Sequence, residues 1–303
     1  MTIATGSRHS MAYVAETVYG TPPSTPVFKA IRHTGTTLGL SKDSIQSEEI
    51  RADRQISDLR HGNKSSSGDV NTELSYGSFD DFLEAGFGGT WTTDVLKAGV
   101  LRKSFTIERH FSDIGLYNRF TGSEINTIAI SVAPNTMTTC TFGVMAQGMD
   151  VSETIITGAT YTDPTTVSPF DSFTCTLLEG GVGLGVVTAL DINLDNGEEN
   201  TFVLCSDETL RPSIGRSNVT GSMTVYFEDQ VLLEKFINET ESSINLTIED
   251  PEGNDYEILL PRIKYNSGQP DVTAEGPITL TMDFQALLDD TTGTNIQITR
   301  TAA

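Results

Sequence analysis

Residues of the first half of the chain return in the second half in the same order. Gly62 and Gly68 recur as Gly215 and Gly221 at an offset of 153, and Leu38, Leu40 and Asp43 recur as Leu190, Ile192 and Asp195 at 152. Thr106–Glu108 and Thr247–Glu249 both read TIE, 141 apart, and TCTFGVMA (Thr139–Ala146) parallels TLTMDFQA (Thr279–Ala286) at 140. Single identities arise easily by chance, but a conserved order of loop, glycine pair, strand, helix, TIE strand and closing strand does not. A tandem duplication follows, and the 303 residues resolve into two copies of one domain of ordinary size.

Within each copy the apolar residues alternate at period two among many Thr, Ser, Val and Ile, with turn residues every eight to twelve positions, the pattern of antiparallel β structure. Ten segments carry it: 69–76, 104–109, 127–132, 137–144, 172–178, 187–194, 219–227, 244–249, 256–263 and 278–284. Two short segments break it, Phe79–Phe87 (FDDFLEAGF) and Asp229–Ile237 (DQVLLEKFI). Their apolar residues lie three and four apart with acids in the first turn, which predicts helices. Each copy also holds a long polar excursion, Ser41–Ser67 and Asp195–Asn218, and loops of such length are usually functional or disordered. The Thr/Ser/Pro-rich stretch between 155 and 185 reads as the connection. The expected fold class is mainly β: two tandem antiparallel β domains, each with a short α-helix and a long loop.

Composition narrows function by exclusion. Forty-one Asp and Glu against 19 Lys and Arg give a formal charge of −22, so binding of nucleic acid by phosphate neutralisation is not expected. The N-terminus lacks the apolar run of a signal peptide, and the longest greasy stretch, Val182–Leu190, is too short for a membrane helix, so no membrane partner is expected. Cys140, Cys175 and Cys205 form no metal or disulfide spacing and are expected as small buried hydrophobes. The four histidines (His9, His33, His61, His110) show no ligand spacing. GGVGLG (Gly180–Gly185) departs from the phosphate-loop pattern and precedes a strand, so a turn is expected. DINLDNGEE (Asp191–Glu199) has acids at alternate positions but misplaces the glycine of a calcium loop. Neither a nucleophile elbow nor a spaced carboxylate dyad is present, so no catalytic residue, cofactor or metal is assigned and the chain is expected not to be an enzyme.

Several segments are familiar in combination: RHSMAYVAETVYGTPPSTPVFKAIRHT (8–34), EEIRADRQISDLRHGNKSSSGDVNTELSYGSFDDFLEAGFGGTW (48–91), SFTIERHF, YNRFTGSEINTIAI and PITLTMDFQALLDDTTGTNIQITR. Together they resemble the major tail tube proteins of long-tailed, non-contractile bacterial viruses, the siphoviruses, in a tandem-domain form. The family's G-Y-x-x-E-x-x-Y-G-T-P pattern falls on Ala12, Tyr13, Glu16, Tyr19, Gly20, Thr21 and Pro22, with Ala12 replacing glycine.

The resemblance implies a structural virion protein of two tandem tail-tube-type antiparallel β-sandwich domains, each with a short flanking α-helix and a long loop, and each lending a four-stranded sheet to a ring. Stacked rings would form the hollow tube that conducts DNA during ejection. With two domains per chain, a homotrimer would close a pseudo-hexameric ring. The implied division is an N-terminal arm (1–30), a first tail-tube domain (31–165) and a second with a C-terminal arm (166–303). Implied partners are further copies of the chain, tape-measure and tail terminator proteins, and double-stranded DNA in passage without specific binding. The implied location is the virion tail, with assembly in the host cytoplasm. Strand alternation offers Asp69, Asn71, Glu73 and Ser75 and Thr279, Thr281 and Asp283 as lumen-lining candidates. Glu48, Glu49, Arg51, Asp53, Arg54 and Arg60 on the first excursion are the ring-stacking candidates, because their mixed charge can set register. A carbohydrate-binding or adhesin-like β-sandwich module is the alternative, weakened by the single tryptophan, Trp91.

Overall fold

The structure is a computed structural model and describes residues 3–272 and 275–303. The first half runs β1 (His9–Ala15), β2 (Val27–Ile31), β3 (Gly35–Thr36), β4 (Gly39–Gln46), β5 (Leu59–Glu73), α1 (Asp80–Phe87), β6 (Val95–Lys97), β7 (Phe105–Phe111), β8 (Leu116–Val132), β9 (Thr139–Ala146), β10 (Gly148–Ser152) and β11 (Thr160–Thr162). The second runs β12 (Cys175–Glu179), β13 (Val182–Gly183), β14 (Val187–Asp195), β15 (Asn218–Tyr226), α2 (Val231–Ile237), β16 (Ser242–Glu249), β17 (Asp255–Tyr265), β18 (Gln269–Asp271), β19 (Thr279–Ala286) and β20 (Gln297–Thr301). Both expected helices and all ten expected strand segments are present, and the chain is mainly β with a large open sheet.

One strand organises the rest. β8 is 17 residues long, and its first part pairs with β7 and β10 in a sheet ordered β11–β2–β1–β7–β8–β10. After an irregularity between Ile125 and Thr127 its second part enters another sheet, between β9 and β14. A bulge turns the strand there without ending it. The central sheet so formed is ordered β4–β5–β9–β8–β14–β15–β19, and β17 and β18 continue it beyond β19. β17 repeats the manoeuvre of β8, pairing at its start with β16 and β20 and at its end with β19. The second half thus has its own flanking sheet, β13–β12–β16–β17–β20–β6, whose last strand comes from the first half.

The repeat is visible in these ladders. Gly68 pairs with Val144 and Gly221 with Phe284, so the two glycines are equivalent. Both are small because the chain is crowded: a Cβ on Gly68 would lie 2.6 Å from the Leu38 backbone, and one on Gly221 would overlap the Asp191 carbonyl and the Phe284 ring. The ladders align Leu38 with Ile192, two residues from the alignment by letters. A slip of two leaves every side chain on its original face, so the sequence match was right about the face.

Within the expected N-terminal arm, 1–30, β1 lies between β2 and β7. Met1 and Thr2 lie outside the described residues. The expected C-terminal arm likewise ends in β20, paired with β17 and β6. The tail-tube sequence pattern explains the docking of β1. Glu16 accepts the backbone N–H groups of Gly20 (2.8 Å) and Gly122 (2.9 Å) and the hydroxyls of Ser104 and Thr106 (2.8 Å each). Gly20 has φ +72°, which the tight return to Glu16 requires.

Helix α1 closes the sandwich of the first half. Asp80 and Asp81 occupy its first turn and Gly88, at φ +62°, ends it in the left-handed conformation. Its buried face, Phe82, Leu83 and Phe87, packs with Tyr13, Phe105 and Phe142 in one core that runs through both halves. Gly86 permits the close approach, since a Cβ there would come 2.5 Å from Ile128.

Glu16→Ala removes the acceptor of four donors and leaves the Gly20 and Gly122 amides without it. The expected cost is about 2 kcal/mol, measured as a shift in the urea unfolding midpoint with unchanged slope.

Candidate functional site

The central sheet has one apolar and one polar face. Val70, Phe142, Ile128, Ile192, Val219 and Phe284 are among the residues buried on the first. On the second, residues directly opposite one another form rows across all six strands from β5 to β19. One row reads Glu73, Thr139, Ser131, Asp191, Ser222, Asp283 and the next Asn71, Thr141, Ala129, Asn193, Thr220, Gln285. A third begins Asp69, Gly143, Thr127, Asp195 and Asn218. Short cross-strand contacts tie the rows: the Thr141 hydroxyl to Asn71 Oδ1 (3.0 Å), Thr224 to Thr281 (3.0 Å) and Ser267 to Asp283 (2.8 Å).

Between Ser65 and Glu73 on β5, and on the facing positions of the other five strands, this surface carries Asp69, Glu73, Asp191, Asp195 and Asp283 and no lysine or arginine. Lys264, on the strand beyond β19, is held by Glu241 at 3.8 Å. Six of the seven lumen candidates therefore share one continuous face. Ser75 does not: it lies past the end of β5, buried, bonded to Ser78 and Arg32. The alternation that resembled a calcium loop is the face of β14, on which Asp191, Asn193 and Asp195 project to the same side as Asp69 and Glu73. Among the described residues no group of three His, Cys, Asp or Glu could hold a metal ion.

The two polar excursions have taken different forms. The first is a hairpin of β4 and β5, paired out to Gln46 opposite Leu59. Its tip carries five of the stacking candidates, Glu48, Glu49, Arg51, Asp53 and Arg54, and Arg60 follows directly at the outer end of β5; all six are exposed. Arg51 pairs with Asp53 (2.8 Å) and Glu49 (3.8 Å), and Arg60 with Asp58 (3.3 Å). Ile45, Ile50, Ile56 and Leu59 are also exposed on this projection, Ile50 completely. Such a cluster of bare apolar residues on a protruding element marks a contact surface.

The second excursion folds back on the first half. Asn196 donates to the Gly86 carbonyl (2.8 Å), Glu198 N–H to Asn126 (2.9 Å), and Lys64 pairs with Asp207 (2.8 Å). Beneath it Glu124 and Glu198 are buried beside Arg102 and Arg211, with Arg102 and Arg211 both bonded to Glu124. Burial, and then the charge of Glu124, push the Glu198 carboxyl up to about 7. Its Oε2 has no hydrogen-bond partner.

Other residues singled out earlier have structural places. Trp91 lies under Arg300, 4.5 Å from guanidinium to ring, and beside Tyr256, so it offers no open sugar platform. Gly180 and Gly181, at φ +59° and +80°, make the turn between β12 and β13. Cys140 is buried as expected, whereas Cys175 and Cys205 are exposed, the first because β13 does not extend to the start of β12 and the second because it lies in the second excursion. His9, donating to His33 at 2.9 Å and accepting from Arg109, is pulled down to about 4 by burial and by Arg109. No helix among the described residues is long and apolar enough to cross a membrane.

The described residues thus form a β-sandwich pair with a shared polar sheet and a projecting hairpin. The chain belongs to the phage tail tube protein family, whose model matches residues 6–286. Membership makes it a structural protein of the phage tail, and a structural family suggests a non-enzymatic chain. No curated protein matches it.

Glu198→Gln mimics the protonated carboxyl. Since the folded pKa is raised, the stability linked to the proton is complete below about pH 4.5 and lost as pH rises through about 7. The variant is therefore expected to melt higher than the parent at pH 8, by on the order of 3 kcal/mol. That advantage should fade between pH 7 and 4.5 in a thermal-shift series.

Proposed function

We propose that three copies close into a ring of six quasi-equivalent domains, that rings stack into the tube of a siphovirus tail, and that the polar face of the central sheet lines the channel that conducts DNA. The observation that carries this reading is the continuous acidic face spanning both halves. Each half gives four strands to the central sheet: β4, β5, β9 and β8, then β14, β15, β19 and the β17–β18 pair. Three chains then supply about 24 strands, and barrels of 16–18 strands already enclose an aqueous channel. A closed ring also removes the sheet edges that an open monomer exposes.

The charge suits passage rather than binding. Non-specific attachment of a duplex at a dissociation constant of about 10⁻⁴ to 10⁻⁶ M is worth roughly 5–8 kcal/mol per site, which a stack of rings would multiply. Carboxylates repel phosphates over about one Debye length, roughly 8 Å, and the hydroxyls and amides between them keep the wall wet. Stacking falls to the β4–β5 hairpin. Its exposed ion pairs contribute only about 0–1 kcal/mol each, so the bare isoleucines and Leu59 must carry most of the contact. The ends of such a tube would meet the terminator protein, and its channel the tape-measure protein, during assembly in the host cytoplasm.

Negative-stain microscopy of the purified chain is expected to show rings or tubes of uniform bore with threefold symmetry. A sixfold ring of six whole chains, or a monomer that stays monomeric with its assembly partners, would overturn the proposal. Asp191→Lys with Asp283→Lys is expected to preserve tubes but retain DNA within them, scored as incomplete ejection from reconstituted virions. Replacing residues 48–57 with a short Gly-Ser turn is expected to yield single rings that no longer stack.

A further inference from the structure

The joint between the two halves is a strand pairing that the duplication provides for twice, and only one of the two is filled. β8 meets β14 from Thr127 opposite Asp195 to Val132 opposite Leu190. Asn196 N–H donates to the Asn126 carbonyl at 3.0 Å, so by alternation the backbone groups of Ile128, Ile130 and Val132 point into this ladder.

Both strands of the joint have counterparts. β3, Thr37, Leu38 and the start of β4 form one strand along β5, from Gly35 opposite Asn71 to Lys42 opposite Lys64, as β14 runs along β15. β18 resumes along β19 after β17, as β8 resumes along β9 after Asn126: Tyr265 opposite Phe284 matches Ile125 opposite Val144, and Gln269 opposite Thr281 matches Ala129 opposite Thr141. The counterpart of Thr127–Val132 is therefore 267–272, and that of 190–195 is 36–41. Among the described residues neither of these outer edges pairs with another strand.

We infer that 267–272 of one copy pairs antiparallel with 36–41 of the next, with Ser267 opposite Ser41, Pro270 opposite Leu38 and Val272 opposite Thr36. The inference rests on the ring reading above and adds to it the surface and the register. Three observations single out this partner. Val272 is 74% exposed, whereas Val132, its counterpart at the filled joint, is 8% exposed. Pro270 takes the place of Ile130, whose N–H points into the joint, and a proline there is admissible because the Leu38 carbonyl opposite already accepts from Arg109. The third is α2. At the filled joint α1 is covered by the second half, with Tyr256 and Arg300 both bonded to Asp80, and Phe87 is 2% exposed. The corresponding Ile237 on α2 is 63% exposed, bare where the next copy would lie.

Cross-linking tests the register. In a Cys175→Ser, Cys205→Ser background, Gly39→Cys and Gln269→Cys would face each other as a non-hydrogen-bonded pair, the closer kind of cross-strand neighbour. A Cβ at Gly39 meets nothing nearer than 3.5 Å. Mixing chains that carry one cysteine each makes any disulfide intermolecular. Oxidation of assembled rings is expected to give dimers from the mixture, and a ladder ending at trimer from the double variant. The displaced pair Ser41→Cys with Gln269→Cys should give little product. Ser41→Cys with Ser267→Cys repeats the test in the same register if the first pair impairs assembly. Intact rings in which neither in-register pair links, or in which the displaced pair links better, overturn the joint alone. Failure of the unmodified chain to form rings overturns the ring reading and the joint with it.

Discussion

The β8–β14 ladder is the contact on which the rest of the molecule depends. Two sandwiches joined by a linker would tumble as separate bodies, but here the last central strand of one is hydrogen-bonded to the first central strand of the other. Ile128, Ile130 and Val132 meet Leu194, Ile192 and Leu190 on its apolar side, all buried, so the two cores become one. The reciprocal placement of β6 in the second half's flanking sheet, and of Tyr256 and Arg300 on α1, locks the joint from the other side of the sandwich. Breaking it would uncover apolar area from both halves at once, at about 25 cal/mol per Å².

That rigidity divides the charge in a useful way. The acids of the central face stand among hydroxyls and amides, with no cation on the same positions of those strands, whereas most arginines and lysines are spent elsewhere. Arg102 and Arg211 compensate Glu124, Arg119 compensates Glu108, Lys235 compensates Glu179 and Arg300 compensates Asp80. Removing one partner of such a buried pair leaves an uncompensated charge, so these cations hold the scaffold and are not free to neutralise the sheet face. The net charge of −22 is therefore not spread evenly, and part of it is concentrated where both halves present it together.

The parts of this architecture legible in the sequence were those with local signatures. Period-two alternation located the strands, the acid-led apolar triads located α1 and α2, and the repeat located the two halves, even though its letters were two residues out of structural register at Leu38 and Ile192. The faces of β5 and β19 were legible for the same reason, since parity alone puts Asp69, Asn71 and Glu73 together. Their union with Asp191 and Asn193 was not, because strand order depends on pairings between residues far apart in the chain. Ser75 was misplaced because parity was carried past the end of β5, where the chain leaves the sheet. The docking of the N-terminal segment was not legible because the signal for it lies outside β1: Glu16 finds its partners at Gly122, Ser104 and Thr106, some ninety residues and more away.

Duplication also explains why the two polar excursions differ. In a ring of six identical domains one loop sequence would have to serve every position, and a loop that grips its own neighbour could not also reach the next ring. With two domains per chain the copies are free to diverge. The second excursion has become an internal clasp, holding Lys64, Asn126 and Glu124 of the first half, while the first has kept its strands paired and projects as a hairpin with Ile50 bare at its tip. In the proposed trimer this places three projections around a lumen of sixfold likeness. Successive rings would then be keyed at three points, so that a rotation of about 60° that leaves the channel wall almost unchanged would bring every hairpin opposite a clasp rather than its proper site. In the proposed tube the duplicated chain would thereby gain an angular register that its quasi-equivalent wall does not supply.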